Sequence, residues 1–330
     1  MIYTEPTGGR DERPAINVLV PPLKCQGIKT KLVPLILTLA GPDRGGRWIE
    51  PFMGSGVVGL NARRPRTLFA DKNPHLINFY LALRMRRITP ENARDFLNRE
   101  GGSLARNGER HYYGIRDRFN AAGDPMDFLF LSRAGFNGLI RFNRRGAFNV
   151  PFCRKPHRFA PAYVTKIVNQ IARFQAAMTS KWEFIHADFE EAAANASPDD
   201  FIYCDPPYFG RHVDYFDSWS ADDERRLFAA LTATKARFIL STWHSNRYRE
   251  NPVLGMWKQR FQIVTKEHFY HLGAKEANRN AMREALVLNF QPASRTVAPN
   301  SLLKKTGSPL QARKAARDSG QKERFFAIFD

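Results

Sequence analysis

Arg47-Trp48-Ile49-Glu50-Pro51-Phe52-Met53-Gly54-Ser55-Gly56-Val57-Val58-Gly59-Leu60-Asn61, followed shortly by Thr67-Leu68-Phe69-Ala70-Asp71, decides the fold class. The run reads as strand, glycine turn, helix, second strand, and an acid at that strand's end. Glycines let the backbone approach a ligand closely, and a helix N-terminus offers free amides to an anion. Gly-x-Gly alone is a weak signal. The whole order is that of a doubly wound α/β sheet, where an acid ending the second strand commonly binds ribose hydroxyls. It implies a nucleoside-containing cofactor. The pattern G-x-x-x-x-G-K-[ST] does not occur, which disfavours a nucleoside triphosphate.

A second stretch carries the chemistry: Phe201-Ile202-Tyr203-Cys204-Asp205-Pro206-Pro207-Tyr208. Phe201 to Tyr203 reads as a short buried strand, and Asp205 falls where it ends. Two prolines then fix the backbone, and Tyr208 adds a flat aromatic face. A carboxylate, a rigid turn and an aromatic platform suit a planar, amine-bearing base. Alone, the stretch is equally well an ordinary turn with a solvated Asp.

The charge narrows the partner. Against 32 acidic residues stand 51 Lys and Arg, a net charge of +19, which points to a polyanion such as nucleic acid. That excess is concentrated between Arg133 and Arg158, where six Arg, one Lys and one His occur without a single Asp or Glu. Asn143-Arg144-Arg145-Gly146 reads as the turn of a β-hairpin there. A two-stranded ribbon can enter a major groove, with Arg reading guanine and Asn reading adenine. Other arginines would contact phosphates. Residues of about 100–124, rich in Gly, Asn and Arg, are expected to be partly loop.

Three scattered cysteines, Cys25, Cys153 and Cys204, form no C-x-x-C pair. A zinc site is not expected, and a reducing compartment is. The apolar run from Leu32 to Ala40 is too short for a membrane span. No signal peptide stands out, so a cytoplasmic protein with no membrane association is expected. Helices are expected over Leu32 to Leu39, His75 to Arg87, from Thr89, from Pro161 to Met178 and from Arg225 to Thr232. Further strands are expected at Glu183 to Phe189, Arg237 to Thr242 and Glu284 to Phe290. Asp188 could accept a hydrogen bond from a cofactor amine or cap the next helix. His186 reads as structural.

Taken together, five motifs closely resemble the Dam-type, class alpha adenine DNA methyltransferases. They are Pro22-Leu23-Lys24 with Gly27 and Lys29, Glu50 to Gly56, Ala70-Asp71 with Asn73, Phe136-Asn137-Gly138-Leu139, and Tyr203 with Asp205-Pro206-Pro207-Tyr208. The resemblance covers residues of about 20–290. It implies a Rossmann-like methyltransferase sheet with an inserted smaller helical and β-hairpin DNA-recognition domain. The expected division is a flexible arm (1–14), a discontinuous catalytic domain (15–88 and 160–290), a recognition domain (89–159) and a basic, flexible tail (291–330).

The activity implied is transfer of a methyl group from S-adenosylmethionine to the N6 of an adenine flipped from duplex DNA, without a metal. Asp205, Pro206, Pro207 and Tyr208 would be catalytic. Cys25, Lys29, Glu50, Phe52, Gly54, Gly56, Asp71, Asp188, Phe189 and Asp205 would line the cofactor site. Within that set, Lys29 and the Gly54 turn would lie near the methionine carboxylate and Asp71 would hold the ribose. Arg133, Asn137, Leu139, Arg141, Arg144, Arg145, Asn149, Pro151 and Lys155 would contact DNA. Asn137, Leu139, Arg141 and Pro151 match positions that contact GATC in that family, with Arg141 on the leading guanine. Two positions depart from the pattern: Cys25 stands where Trp is usual, and Lys155 where an aromatic is usual. A monomer acting on DNA is expected, and a cognate restriction endonuclease of the same system is one setting, without physical contact. Rivals with the same core are an RNA or other amine methyltransferase and a catalytically inactive DNA-binding protein.

Overall fold

The computed structural model describes residues 2–4, 17–209, 219–245, 248–269 and 281–292. Along its central strands, successive side chains enter two different cores. Trp48, Phe201, Tyr203, Ile239, Val264 and Leu286 pack on one side, and Ile49, Ile202, Cys204, Leu240, Ile263 and Val287 on the other. This period of two with both faces buried is what a sheet covered by helices on each side requires. Each fully buried aliphatic of this kind contributes about 1.5–3 kcal/mol through apolar burial.

The strands, in chain order, are β1 (Ile2–Thr4), β2 (Trp48–Glu50), β3 (Thr67–Asp71), β4 (Trp182–His186), β5 (Phe201–Cys204), β6 (Arg237–Ser245), β7 (Gln262–Phe269) and β8 (Ala281–Leu288). They form one sheet in the order β1-β7-β8-β6-β5-β2-β3-β4. Only β8 runs antiparallel to its neighbours. From β2 the chain winds outward through β3 and β4, then returns beside β2 as β5. The switch in direction therefore lies between β2 and β5, and ligands of open α/β sheets bind outside the carboxyl ends of strands at such a point.

One face carries α1 (Val33–Ala40), α2 (Val57–Ala62) and α3 (Pro74–Arg84). The other carries α8 (Phe189–Ala194), α9 (Ala221–Ala233) and α10 (Leu254–Lys258). Local chemistry starts these helices. Asn73 caps α3 before Pro74, which needs no backbone N–H in the first turn. Ser220 and Asp223 close a capping box on α9. Between α3 and β4 lie α4 (Pro90–Asn107), α5 (Glu109–Ala122), α6 (Pro125–Ala134) and α7 (Pro161–Ala177). These helices share one apolar cluster with α3, from Leu76 and Phe79 through Leu97, Tyr112 and Phe128 to Ile167. Among the described residues, no helix is long and apolar enough to cross a membrane.

The structure departs from the sequence expectations at several places. Residues of about 100–124 are helical rather than loop, because Thr89 and Asn92 cap α4 reciprocally and Gly108 joins it to α5 without breaking the packed face. Residues 2–4, expected in a loose arm, pair in parallel with β7. β7 itself was not anticipated: Gln262 to Phe269 mixes charged and apolar residues as a strand beside the sheet's edge does. β4 ends at His186, so Asp188 lies beyond it and caps α8 through the Glu190 amide. His186 is exposed, with its ring Nε2 beside the Lys72 carbonyl at 3.0 Å. The rest of the expected arm and residues 293–330 of the expected tail lie outside the described residues.

Candidate active site

The strand ends gather the acids. Glu50 ends β2, Asp71 ends β3, Asp188 follows β4 and Asp205 follows β5, all at the carboxyl edge. The glycine turn after β2 is tied down from below. The Gly54 amide donates to Asp71 Oδ2 at 2.8 Å, and the Asn73 amide to Oδ1 at 2.9 Å. Tyr80 donates to the Ser55 carbonyl at 2.6 Å, and the Met53 amide to the Ala70 carbonyl at 2.8 Å. Gly54 and Gly56 have φ of 49° and 66°, a left-handed conformation costly for other residues. A Cβ on Gly59 would sit 2.5 Å from the Phe69 ring, so this helix packs against β3 only with glycine there.

Asp71 thus has a structural task that the sequence did not disclose. Each oxygen accepts one amide, and an ionised carboxylate has about four acceptor positions, which leaves capacity for hydroxyl donors. Burial raises its pKa, while the Gly54 and Asn73 amides oppose the rise. Glu50 is enclosed: only 2% exposed, it accepts from Trp48 Nε1 at 2.9 Å. Burial lifts its pKa to about 8, so it carries its proton at neutral pH. Cys25, where a tryptophan was the expected pattern, packs against the apolar core, and burial with Asp71 nearby pushes its thiol up to about 12. It is a neutral, small filler.

Lys29 Nζ lies 2.8 Å from Asp205 Oδ1 and donates to the Gly27 carbonyl at 3.1 Å, a pairing not anticipated from the sequence. The same ammonium stands 4.9 Å from the centroid of the Tyr208 ring. Burial raises the Asp205 pKa, Lys29 pulls it down, and Glu284 adds to the rise. Tyr208 in turn donates its hydroxyl to Glu284 Oε2 at 2.5 Å.

An aromatic wall adjoins the turn. Phe52 stacks on Phe189 with centroids 5.3 Å apart, and Trp219 packs edge-on to Phe52 at 5.5 Å. Arg226 lies over Phe189 and pairs with Asp188 and Glu190. Trp219 escaped the sequence reading because it sits in a helix-cap signal. Glu284 escaped too, although a carboxylate heading the apolar run Ala285-Leu286-Val287-Leu288 was a visible anomaly.

The basic segment divides. Arg133, expected on DNA, is buried: its guanidinium donates to the Pro22 carbonyl and to Gln170 Oε1 at 2.6 Å. It lies 5.8 Å from the Tyr163 ring centroid and holds α6 to α7 and the Pro22 segment, so the expectation is corrected to a structural role. The others stay at or near the surface. Asn137, Arg144, Arg145, Pro151 and Lys155 are exposed, and Leu139, Arg141 and Asn149 half-buried. Arg141 Nε donates to Asn149 Oδ1 at 2.9 Å, so Asn149 braces a neighbouring guanidinium. Phe136, 48% exposed beside Asn137, was also missed as a surface candidate.

The expected hairpin is a looser object. Isolated bridges join Phe142 to Phe148 and Gly135 to Phe152, without two continuous strands. Side chains take the places of ladder partners: Asn120 bonds both the amide and carbonyl of Phe148, Tyr112 donates to the Val150 carbonyl, and Asn143 accepts from Arg145 and Ala147. Phe119, Phe128, Phe142 and Phe148 pack beneath. The segment is stitched to the site by one backbone bond, from the Gln26 amide to the Gly138 carbonyl at 3.0 Å.

Known proteins bear on this arrangement. The Vibrio cholerae protein named DNA adenine methylase is 39% identical over 174 residues, 48% of this chain and 55% of that one. The Escherichia coli retron Ec67 DNA adenine methylase is 34% identical over 195 residues, covering 57% and 64%. The type II methyltransferase M.FokI of Planomicrobium okeanokoites is 26% identical over 279 residues, covering 82% and 42%. The chain thus spans little more than half the length of the Vibrio protein it matches. Residues 26–272 match the family described as D12 class N6 adenine-specific DNA methyltransferase, a span that holds the glycine turn, the basic segment and the Asp205 stretch in their order. A Rossmann-like methyltransferase sheet and a match across most of the chain lead to one conclusion: this chain belongs to the D12 class N6 adenine-specific DNA methyltransferase family.

Proposed function

We propose that the protein methylates the N6 of an adenine swung out of duplex DNA, with S-adenosylmethionine as donor and GATC or a related GA-containing site as target. The observation that carries this reading is Asp205-Pro206-Pro207-Tyr208 at the carboxyl end of β5, across the switch point from the Gly54 turn. The residues present fit the donor. Left-handed glycines leave space for close approach, Asp71 keeps acceptor capacity for a ribose, and Phe52, Phe189 and Trp219 offer an aromatic wall for an adenine. Bound there, the donor would supply an electrophilic sulfonium methyl group.

The chain's own residues do the rest. The adenine amine is a weak nucleophile because its lone pair is delocalised into the ring. Tyr208 stacks on the extruded base, and Asp205 with the Pro206 carbonyl accepts hydrogen bonds from the amine hydrogens. Those bonds favour a pyramidal nitrogen whose lone pair faces the methyl carbon. Transfer to the nitrogen would leave the donor as a neutral thioether, and the excess N–H proton would pass to solvent, directly or by way of Asp205. Holding the reacting atoms in line is the main device. Lys29, 2.8 Å from Oδ1, pulls the Asp205 pKa down against the rise that burial imposes and so favours the accepting carboxylate.

Residues 89–159 act as the recognition domain in this reading. Arg141, oriented by Asn149, reads guanine in the major groove, with Asn137, Leu139 and Pro151 beside it. Arg144, Arg145 and Lys155 meet phosphates. The exposed Phe136 ring offers an apolar wedge for bases near the extruded one. We place the protein in the cytoplasm, acting as a monomer. The test is expression in a host lacking DNA methylation, followed by sequencing that detects N6-methyladenine. Methylated adenine within a defined short motif is expected. Unmethylated DNA beside methylated RNA would overturn the reading in favour of an RNA enzyme, and no transfer to either would leave a DNA-binding protein.

A further inference from the structure

Tyr208 is gripped from the antiparallel side of the sheet, far along the chain from its own strand. Its hydroxyl donates to Glu284 on β8. The next residue, Phe209, accepts through its carbonyl from Trp243 Nε1 on β6 at 3.0 Å. Trp243 and Glu284 stand directly opposite each other in the β6–β8 ladder. One cross-strand pair therefore holds two successive residues of the catalytic turn. Both members are interior, Glu284 at 0% and Trp243 at 1% exposure. A carboxyl in that position is costly to bury unless hydrogen-bonded. Nothing in the apolar strand Ala285 to Leu288 calls for it.

Building on the adenine-methylation reading above, we propose that Glu284 is a positioning residue: it holds the hydroxyl end of the Tyr208 ring in one place so that the extruded base stacks at one position. A tyrosine ring swings about its first side-chain torsion, and its backbone alone does not set where the far end lies. The Glu284 bond anchors the far end of the ring, and the Trp243 bond anchors the backbone just after it. Lys29 stands over one ring face, so the base takes the other or displaces the ammonium. A ring free to swing would leave donor binding intact but would present the amine out of line, where small displacements cost rate steeply.

The experiment uses the full-length protein, saturating S-adenosylmethionine and a duplex carrying the motif that sequencing defines. Variants are Glu284→Ala, Glu284→Gln, Tyr208→Phe and the Glu284→Ala/Tyr208→Phe double. Glu284→Ala and Tyr208→Phe are each expected to lower kcat about tenfold, the effect of losing one strong hydrogen bond. KM for S-adenosylmethionine should stay within about twofold, since the donor site is untouched. The double variant should fall no further than either single, because both remove the same bond. Glu284→Gln keeps an acceptor oxygen and should remain within about threefold of wild type. Multiplicative losses in the double, or a change in KM with kcat intact, would overturn the role. So would a Gln variant as impaired as Ala. If Glu284→Ala does not fold, Tyr208→Phe at the wild-type rate overturns it alone. A wild-type protein that methylates no DNA overturns the reading beneath it, and this role with it.

Discussion

At the carboxyl edge, Asp71 and Asp205 stand at the ends of strands whose backbones are paired on both sides. Arg141 and Asn149 stand on a segment with isolated bridges, where Asn120, Tyr112 and Asn143 supply the bonds that a ladder would. The first region inherits its geometry from the sheet. The second assembles its geometry from side chains over an aromatic bed. Under the proposed function, chemistry that must not move would sit on the repetitive scaffold, and reading that must suit a particular sequence on the bespoke one.

The sharpest way to break this contrast is at Asp205. Asp205→Ala should lower kcat by about 10²–10³-fold, with DNA affinity nearly unchanged in a binding titration. A comparable loss of DNA affinity would mean the two regions are not separable. Next, Glu50→Gln probes the buried end of β2. Unfolded, Glu50 gives up its proton near 4.5; folded, it holds it to about 8. Between those values the unfolded chain binds fewer protons, so wild-type stability falls as pH rises. The Gln variant should lose this slope, gaining roughly 3 kcal/mol on wild type between pH 5 and 8 in denaturant titrations.

On the recognition side, Arg141→Ala should cost about 1–3 kcal/mol of discrimination at one base, read by methylating duplexes altered position by position. Equal weakening on all sequences would make Arg141 a phosphate contact. Asn120→Ala removes two bonds from Phe148 and should destabilise the segment by about 1–2 kcal/mol, seen as faster hydrogen exchange between Arg141 and Val150. Exchange in β5 should not change. Smallest is Arg144→Ala, which should lower the slope of log affinity against log salt by about one while keeping the target.

This contrast also explains what the sequence disclosed. β2, β3 and β5 are short apolar runs ending in an acid, and that pattern is written locally. Asp71, Asp205 and the glycine turn were therefore legible, as were caps such as Ser220 with Asp223. Arg133 was misplaced because its charge was visible and its burial was not: its partners, Pro22 and Gln170, lie far away in sequence. The same distance hid Lys29 on Asp205 and Glu284 on Tyr208. β7 was illegible because its register comes from β8 and β1, not from its own alternation. The continuous hairpin was over-read, since Asn143 and Gly146 specify a turn but not a ladder beyond it.

The seam between the two regions has a consequence for how such an enzyme can change. Gln26 donates its amide to the Gly138 carbonyl, and Gly138, at φ 70° with the Lys24 side chain against it, accommodates a side chain poorly. That bond draws on main-chain atoms and does not depend on the side chains of Asn137, Leu139 and Arg141. Under the proposed function, those three could be exchanged, and the target with them, while the bond keeps its length, provided that one glycine stays.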